Sequence, residues 1–112
     1  MAINNVAVAN TDTELLVVPA GKRYAITNIL VCNVYPEEPV DTDEGITNFD
    51  LHLVKNGEPK ADVNKVINAL RLPAGETFTF DSEKIVLEEG DKVVIVGESP
   101  DNLSATISYL EV

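Results

Sequence analysis

Leu103-Ser104-Ala105-Thr106-Ile107-Ser108-Tyr109 places an apolar side chain at every second position and a hydroxyl between each pair. A strand repeats every two residues and a helix every 3.6, so this stretch reads as a β-strand with one face in a core and the other in solvent. The same period recurs upstream. Phe78 and Phe80 alternate with Thr77 and Thr79, and Phe49, Leu51 and Leu53 alternate with Asn48, Asp50 and His52. Val93-Val94-Ile95-Val96 and Ile29-Leu30-Val31 are apolar at consecutive positions, which predicts central strands covered on both faces.

Turn chemistry separates these runs. Asn56-Gly57 predicts a type I′ hairpin turn, which needs positive φ at both central residues. Pro19-Ala20-Gly21 and Pro73-Ala74-Gly75 predict tight turns, and Glu89-Gly90-Asp91 and Ser99-Pro100-Asp101-Asn102 separate the last three strands. The repeated Pro-Ala-Gly is too short to establish duplicated halves. One segment is ambiguous. Val63, Val66, Ile67 and Leu70 fall at helical spacing, with Asp62 as a cap, but the β-branched content and the Leu72-Pro73 ending favour a strand over 65–72. The expected fold is all-β, an antiparallel β-sandwich of jelly-roll type, in one domain spanning 1–112.

Composition narrows the function. Nineteen acidic residues against eight basic ones give a formal charge of −11, which argues against nucleic acid and against anionic membrane surfaces as partners. No apolar run approaches the roughly 20 residues that span a bilayer, and Met1-Ala2-Ile3-Asn4-Asn5 lacks the features of a secretory signal. A soluble protein is expected. Cys32 is the only cysteine, so no internal disulfide forms, and its apolar surroundings predict a buried, inert thiol.

Catalytic constellations are missing from the sequence. His52 is the only histidine, too few for the multi-histidine metal centre of a catalytic jelly roll, and it is expected at the surface or on an edge strand. No Gly-x-Ser-x-Gly elbow accompanies it, and the glycines are scattered singly at turns rather than gathered into a phosphate-cradling loop. Acids are plentiful in Glu37, Glu38, Asp41, Asp43, Glu44, Glu88, Glu89 and Asp91, yet a glycosidase pair needs a cleft rich in aromatic rings, and the chain has no Trp. Asp41-x-Asp43-x-Gly45 has the spacing of the start of a calcium loop but lacks the later ligands. No catalytic, cofactor-binding or metal-binding residue is assigned. The acidic stretch from Pro36 to Gly45 is the one long irregular loop.

Four stretches carry a resemblance. Pro19-Ala20-Gly21-Lys22-Arg23-Tyr24 running on to Val31-Cys32-Asn33 resembles a recurrent segment of small tailed-phage virion proteins, in which a Pro-Gly turn leads into a strand ending in an apolar-Cys-Asn or apolar-x-Asn step. Leu72 to Phe78, Ile85 to Asp91 and the final strand Leu103 to Glu111 are similar too; the acidic loop and residues 58–64 lie outside the likeness. The resemblance implies a non-enzymatic β-sandwich that assembles on a bacteriophage particle as a homo-oligomer, such as a trimer, and contacts the major capsid protein or other virion proteins. The leading expectation is a capsid decoration, or cement, protein located in the virion. A tail, collar or fibre accessory protein is the nearest alternative. A carbohydrate-binding module is a further one, with Tyr24, Tyr35 and Tyr109 as its candidate aromatic platform. The segment from Ile3 to Ala9 is expected either to close its own sheet or to pair with a neighbouring copy.

Overall fold

A computed structural model describes residues 2–35, 45–100 and 102–112. Its strands are β1 (Ala2–Val8), β2 (Thr13–Val17), β3 (Tyr24–Asn33), β4 (Thr47–Val54), β5 (Lys65–Leu72), β6 (Thr77–Leu87), β7 (Lys92–Gly97) and β8 (Leu103–Glu111). They form two four-stranded antiparallel sheets, sheet A in the order β1-β8-β3-β6 and sheet B in the order β2-β7-β4-β5. Within them β1 pairs with β8, β2 with β7, β3 with β6 and β4 with β5. Such nested pairing is that of one long antiparallel ribbon bent at its middle and rolled up, which is the jelly roll. The all-β sandwich read from the sequence is the fold observed.

Period-two patterning fixes which face is inside. Leu103, Ala105 and Ile107 are buried while Ser104, Thr106 and Ser108 are partly open. One core cluster lies between the sheets, and the Phe49 and Phe78 rings meet across it with centroids 5.9 Å apart. Each such side chain withdrawn from water contributes about 1.5–3 kcal/mol. In β3 a bulge between Ile26 and Asn28 interrupts both of its ladders, so Ile26 and Ile29 are both buried although three residues apart. The predicted double cover of Ile29-Leu30-Val31 fails at Leu30, which is 37% exposed. β3 is central in its sheet, but only its inner face is packed. In the predicted run Val93 to Val96, Val93, Val94 and Ile95 are buried and Val96 is half-buried.

The four turns Pro19–Lys22, Lys55–Glu58, Pro73–Glu76 and Glu88–Asp91 share one geometry. In each, the N–H of the fourth residue donates to the carbonyl of the first, and the third residue is a glycine with φ between 76 and 82°. That is the type II turn, whose third position excludes most side chains. Asn56 does not have positive φ, so Asn56-Gly57 makes a type II turn rather than the predicted I′ hairpin. It opens a longer connection that ends in a 3-10 turn at Asp62–Asn64 before β5 begins at Lys65. The helical spacing around Val63 resolves into that single turn, with Ala61 rather than Asp62 at its cap, and the predicted strand over 65–72 is observed.

Asn33 closes the end of β3. Buried to 1% exposure, its Nδ2 donates to the carbonyls of Gly45 (2.6 Å) and Leu72 (2.9 Å), and its Oδ1 accepts the Tyr35 N–H (3.0 Å). The backbone of Asn33 also exchanges bonds with Glu76 and Gly75 in the β5–β6 turn. One side chain thus ties the ends of β3 and β5 to the start of β4.

Candidate interaction surface

Charge is distributed very unevenly over this acidic chain. β1, β3 and β8 as far as Leu110 contain no Asp, Glu, Lys or Arg, although 24% of the chain is charged. These three strands are neighbours in sheet A. An inner face free of charge is what any core demands; an outer face free of charge is not. The register sets the outward residues in rows across the sheet. Ala7, Ser104, Cys32 and Thr77 make one row, and Asn5, Thr106, Leu30 and Thr79 the next. A third places Ile3 beside Ser108 and Asn28. The result is a surface of hydroxyls, amides and apolar groups without charge. Asn5 Nδ2 donates to Thr106 Oγ1 (2.6 Å), and the hydroxyls of Thr27 and Ser108 share a hydrogen bond (2.5 Å). Asn28 Oδ1 is buried here without a hydrogen-bond partner among the described residues.

Several charges bordering this layer are paired. Glu111, the first charge of β8, accepts from Lys22 Nζ at 2.5 Å, and that hydrogen bond raises the Lys22 pKa. On the β2 side, Lys92 sits 3.4 Å from Glu14, and Lys60 sits 2.8 Å from Asp12. Exposed pairs of this kind add little stability. Their effect is to leave the β1–β2 side of a −11 molecule electrically quiet.

Cys32 belongs to this surface. It is half-buried rather than buried as expected, because Val31 and Asn33 take the inward positions on either side of it. Its cross-strand neighbours are Ser104 and Thr77, hydroxyls that do not act as a base toward a thiol.

The other candidate residues are drawn into structure. His52 is 2% exposed in a central strand, which corrects the surface or edge position expected for it. The connection after β4 returns over the outer face of sheet B, and Asn64 reaches His52 Nδ1 at 2.8 Å. Asn64 Oδ1 also accepts the Ala61 N–H, while its Nδ2 donates to the Pro59 carbonyl. These two bonds identify the oxygen, so Nδ1 of His52 is the nitrogen that carries the proton. Asp91 accepts the backbone N–H groups of Asn56 and Glu88, both at 2.9 Å, and so locks two turns together. Glu88 lies 3.6 Å from Arg23. Asp50 accepts the Ala69 N–H (2.6 Å) and faces Lys65 (3.7 Å).

Asp41 and Asp43, and the acids from Glu37 to Glu44 generally, lie outside the described residues. Gly45 is described and has a packing role. A Cβ there would come within 2.8 Å of Ala74 Cβ and 2.9 Å of the Tyr35 ring. Among the described residues, no three His, Cys, Asp or Glu side chains gather as a metal site requires. The three tyrosines are not brought together. Tyr24 and Tyr109 pack on each other at the start of β3, with ring centroids 4.5 Å apart, and Tyr35 follows the other end of that strand.

Alternation in the final strand displayed the hydroxyl face, and the lack of charge in three separate segments was present in the sequence as well. What joins those segments is the strand order, which places β1 and β3 on either side of β8. Comparison with protein-family models, with characterised proteins and with solved structures finds no match to this chain.

Proposed function

We propose that the chain is a non-enzymatic structural protein of a bacteriophage particle, specifically a decoration protein that sits on the capsid exterior and bridges neighbouring subunits. The observation that carries this reading is the uncharged outer layer of β1, β8 and β3 on a chain of charge −11. A protein that works by contact needs one surface that can be desolvated cheaply, and charged groups are depleted from the centres of such surfaces. The rest of the acidic exterior keeps free copies apart and soluble until that surface is engaged. The jelly roll is used by viral capsid domains, by lectins and by cupins, so fold alone does not choose between them. Against a sugar site, the tyrosines are dispersed, and two of them pack against the core. In favour of the particle reading stand the turn and strand signatures of phage virion proteins already described.

On the capsid, each copy contributes a modest contact that is repeated across the lattice, and the sum is large because all sites are engaged at once. A tail or fibre protein would use the same module at low copy number. The test is thermal stability of particles assembled with and without the chain. Decorated particles are expected to release their DNA at a higher temperature than bare ones, and adding the purified chain back is expected to restore the difference. Bare and decorated particles that break at the same temperature would refute the cement role.

A further inference from the structure

Four strands end the two sheets, and three of them are guarded against pairing with another chain. β2 is only five residues long and its register breaks between Glu14 and Leu16. The β5 ladder breaks twice; the strand holds Ala69 at φ 48° and carries Lys65 and Arg71. The register of β6 with β3 is also interrupted, and its sequence includes Asp81, Glu83 and Lys84. Bulges, charges and short length are the usual devices that keep an edge from recruiting another strand. β1 has none of the three. Its ladder with β8 runs without a break from Ala2 opposite Tyr109 to Val8 opposite Leu103, and its seven residues include no charge, proline or glycine. No strand among the described residues pairs with its other side.

We propose that the open edge of β1 pairs antiparallel with β1 of a second copy, joining two A sheets across a two-fold axis. Electrostatics selects the occupant. A basic partner has no charge to grip on β1, whereas a second copy carries −11 itself and can approach closely only where both surfaces are uncharged. The layer beneath supports the same approach, since Glu14 and Asp12 are held by Lys92 and Lys60. The strand also complements itself. With Asn5 on the axis, Ile3 faces Ala7 of the second copy, and outward residues stay on one side because the offset is even. Ile3, 64% exposed in the single chain, gains an apolar neighbour. Of the two alternatives expected for this segment, the structure shows that it closes its own sheet, and the proposed pairing would use the edge left open. This pairing closes at two copies rather than three, and it does not depend on which particle the chain serves.

The experiment is sedimentation equilibrium of the full chain from about 1 to 100 μM, alongside Asn5→Lys and Thr79→Lys. Lysine at position 5 sets like charges against each other at the axis, while lysine at position 79 changes the outer face two strands away from β8 and leaves the edge alone. A wild-type dimer is expected, with a dissociation constant raised about tenfold or more by Asn5→Lys and unchanged by Thr79→Lys. Hydrogen exchange on the wild type gives a reading that needs no variant. The β1 amides directed away from β8 should be protected at high concentration and exchange rapidly at low concentration. A wild-type monomer or trimer would overturn the proposal. So would a dimer broken by Thr79→Lys, or β1 amides that exchange equally at both concentrations.

Discussion

Replacing Asn33 with Ala tests how much one buried amide contributes to holding the β3, β4 and β5 ends together. The substitution strips the partner from the Gly45 and Leu72 carbonyls and from the Tyr35 N–H. Tyr35 is half-buried, so water can replace that bond in part; the two carbonyls sit around a residue of 1% exposure. A buried polar group left unpaired costs about 1–3 kcal/mol. Two such groups and a partly compensated third give an expected loss of about 3–4 kcal/mol, a large share of the ~5–15 kcal/mol of a typical domain. With a urea m-value of about 1.5 kcal/mol/M, the midpoint should fall by roughly 2–2.7 M. Asn33→Asp gives the control. At neutral pH the carboxylate offers only acceptors to two carbonyls, so it should destabilise at least as much as Ala. The folded state disfavours that charge and so raises the pKa of the new acid above its unfolded value. The lost stability should therefore return in part as pH falls and vanish again as pH rises through the folded pKa. Asn33→Ala unfolding within about 0.5 kcal/mol of the wild type would refute the reasoning.

Three further outcomes follow from particular contacts. Asn64→Ala should cost about 1–3 kcal/mol in a urea melt, because the proton on His52 Nδ1 loses its acceptor inside the fold; ¹⁵N spectra should show the Nδ1–H tautomer in the wild type and a shift toward Nε2–H in the variant. Ala69→Gly should stabilise by about 0.5–1 kcal/mol, since φ of 48° strains any residue with a Cβ, and a melt showing a loss of that size would contradict the strain. Cys32 should react with a small maleimide in the free chain and be shielded on the particle if the outer face of sheet A makes the contact; equal labelling in both states would move the contact elsewhere.

Much of this architecture can be read from residues alone. Period two in 103–109 displays its buried and open faces directly, and Leu72-Pro73 marks the end of β5 because proline has no N–H to donate and the Pro73-Ala74-Gly75 run is turn chemistry. The errors share a cause. The immediate neighbours of His52, Leu30 and Cys32 suggest one degree of burial, yet burial depends on what lies over the sheet. His52 is enclosed by a connection whose path depends on a type II turn at Asn56-Gly57, and nothing adjacent to His52 announces that cover. Leu30 sits in an apolar run that resembles the run in β7, but among the described residues its outer side is left open, at 37% exposure. Asn33 stood in a recognisable strand ending, and only the fold shows that its amide reaches three backbone groups distant or adjacent in the chain. The interaction surface was hidden in the same way, because its three uncharged strands are separated in the chain by charged segments and only the strand order brings them together.

The decoration role is tested most directly by the copy number of this chain in purified particles, measured by quantitative mass spectrometry against the major capsid protein. A ratio near one, or a simple fraction of it, is expected for a protein that covers the lattice. A handful of copies per particle would place the chain in the tail or fibres, and its absence from particles would contradict the virion reading altogether.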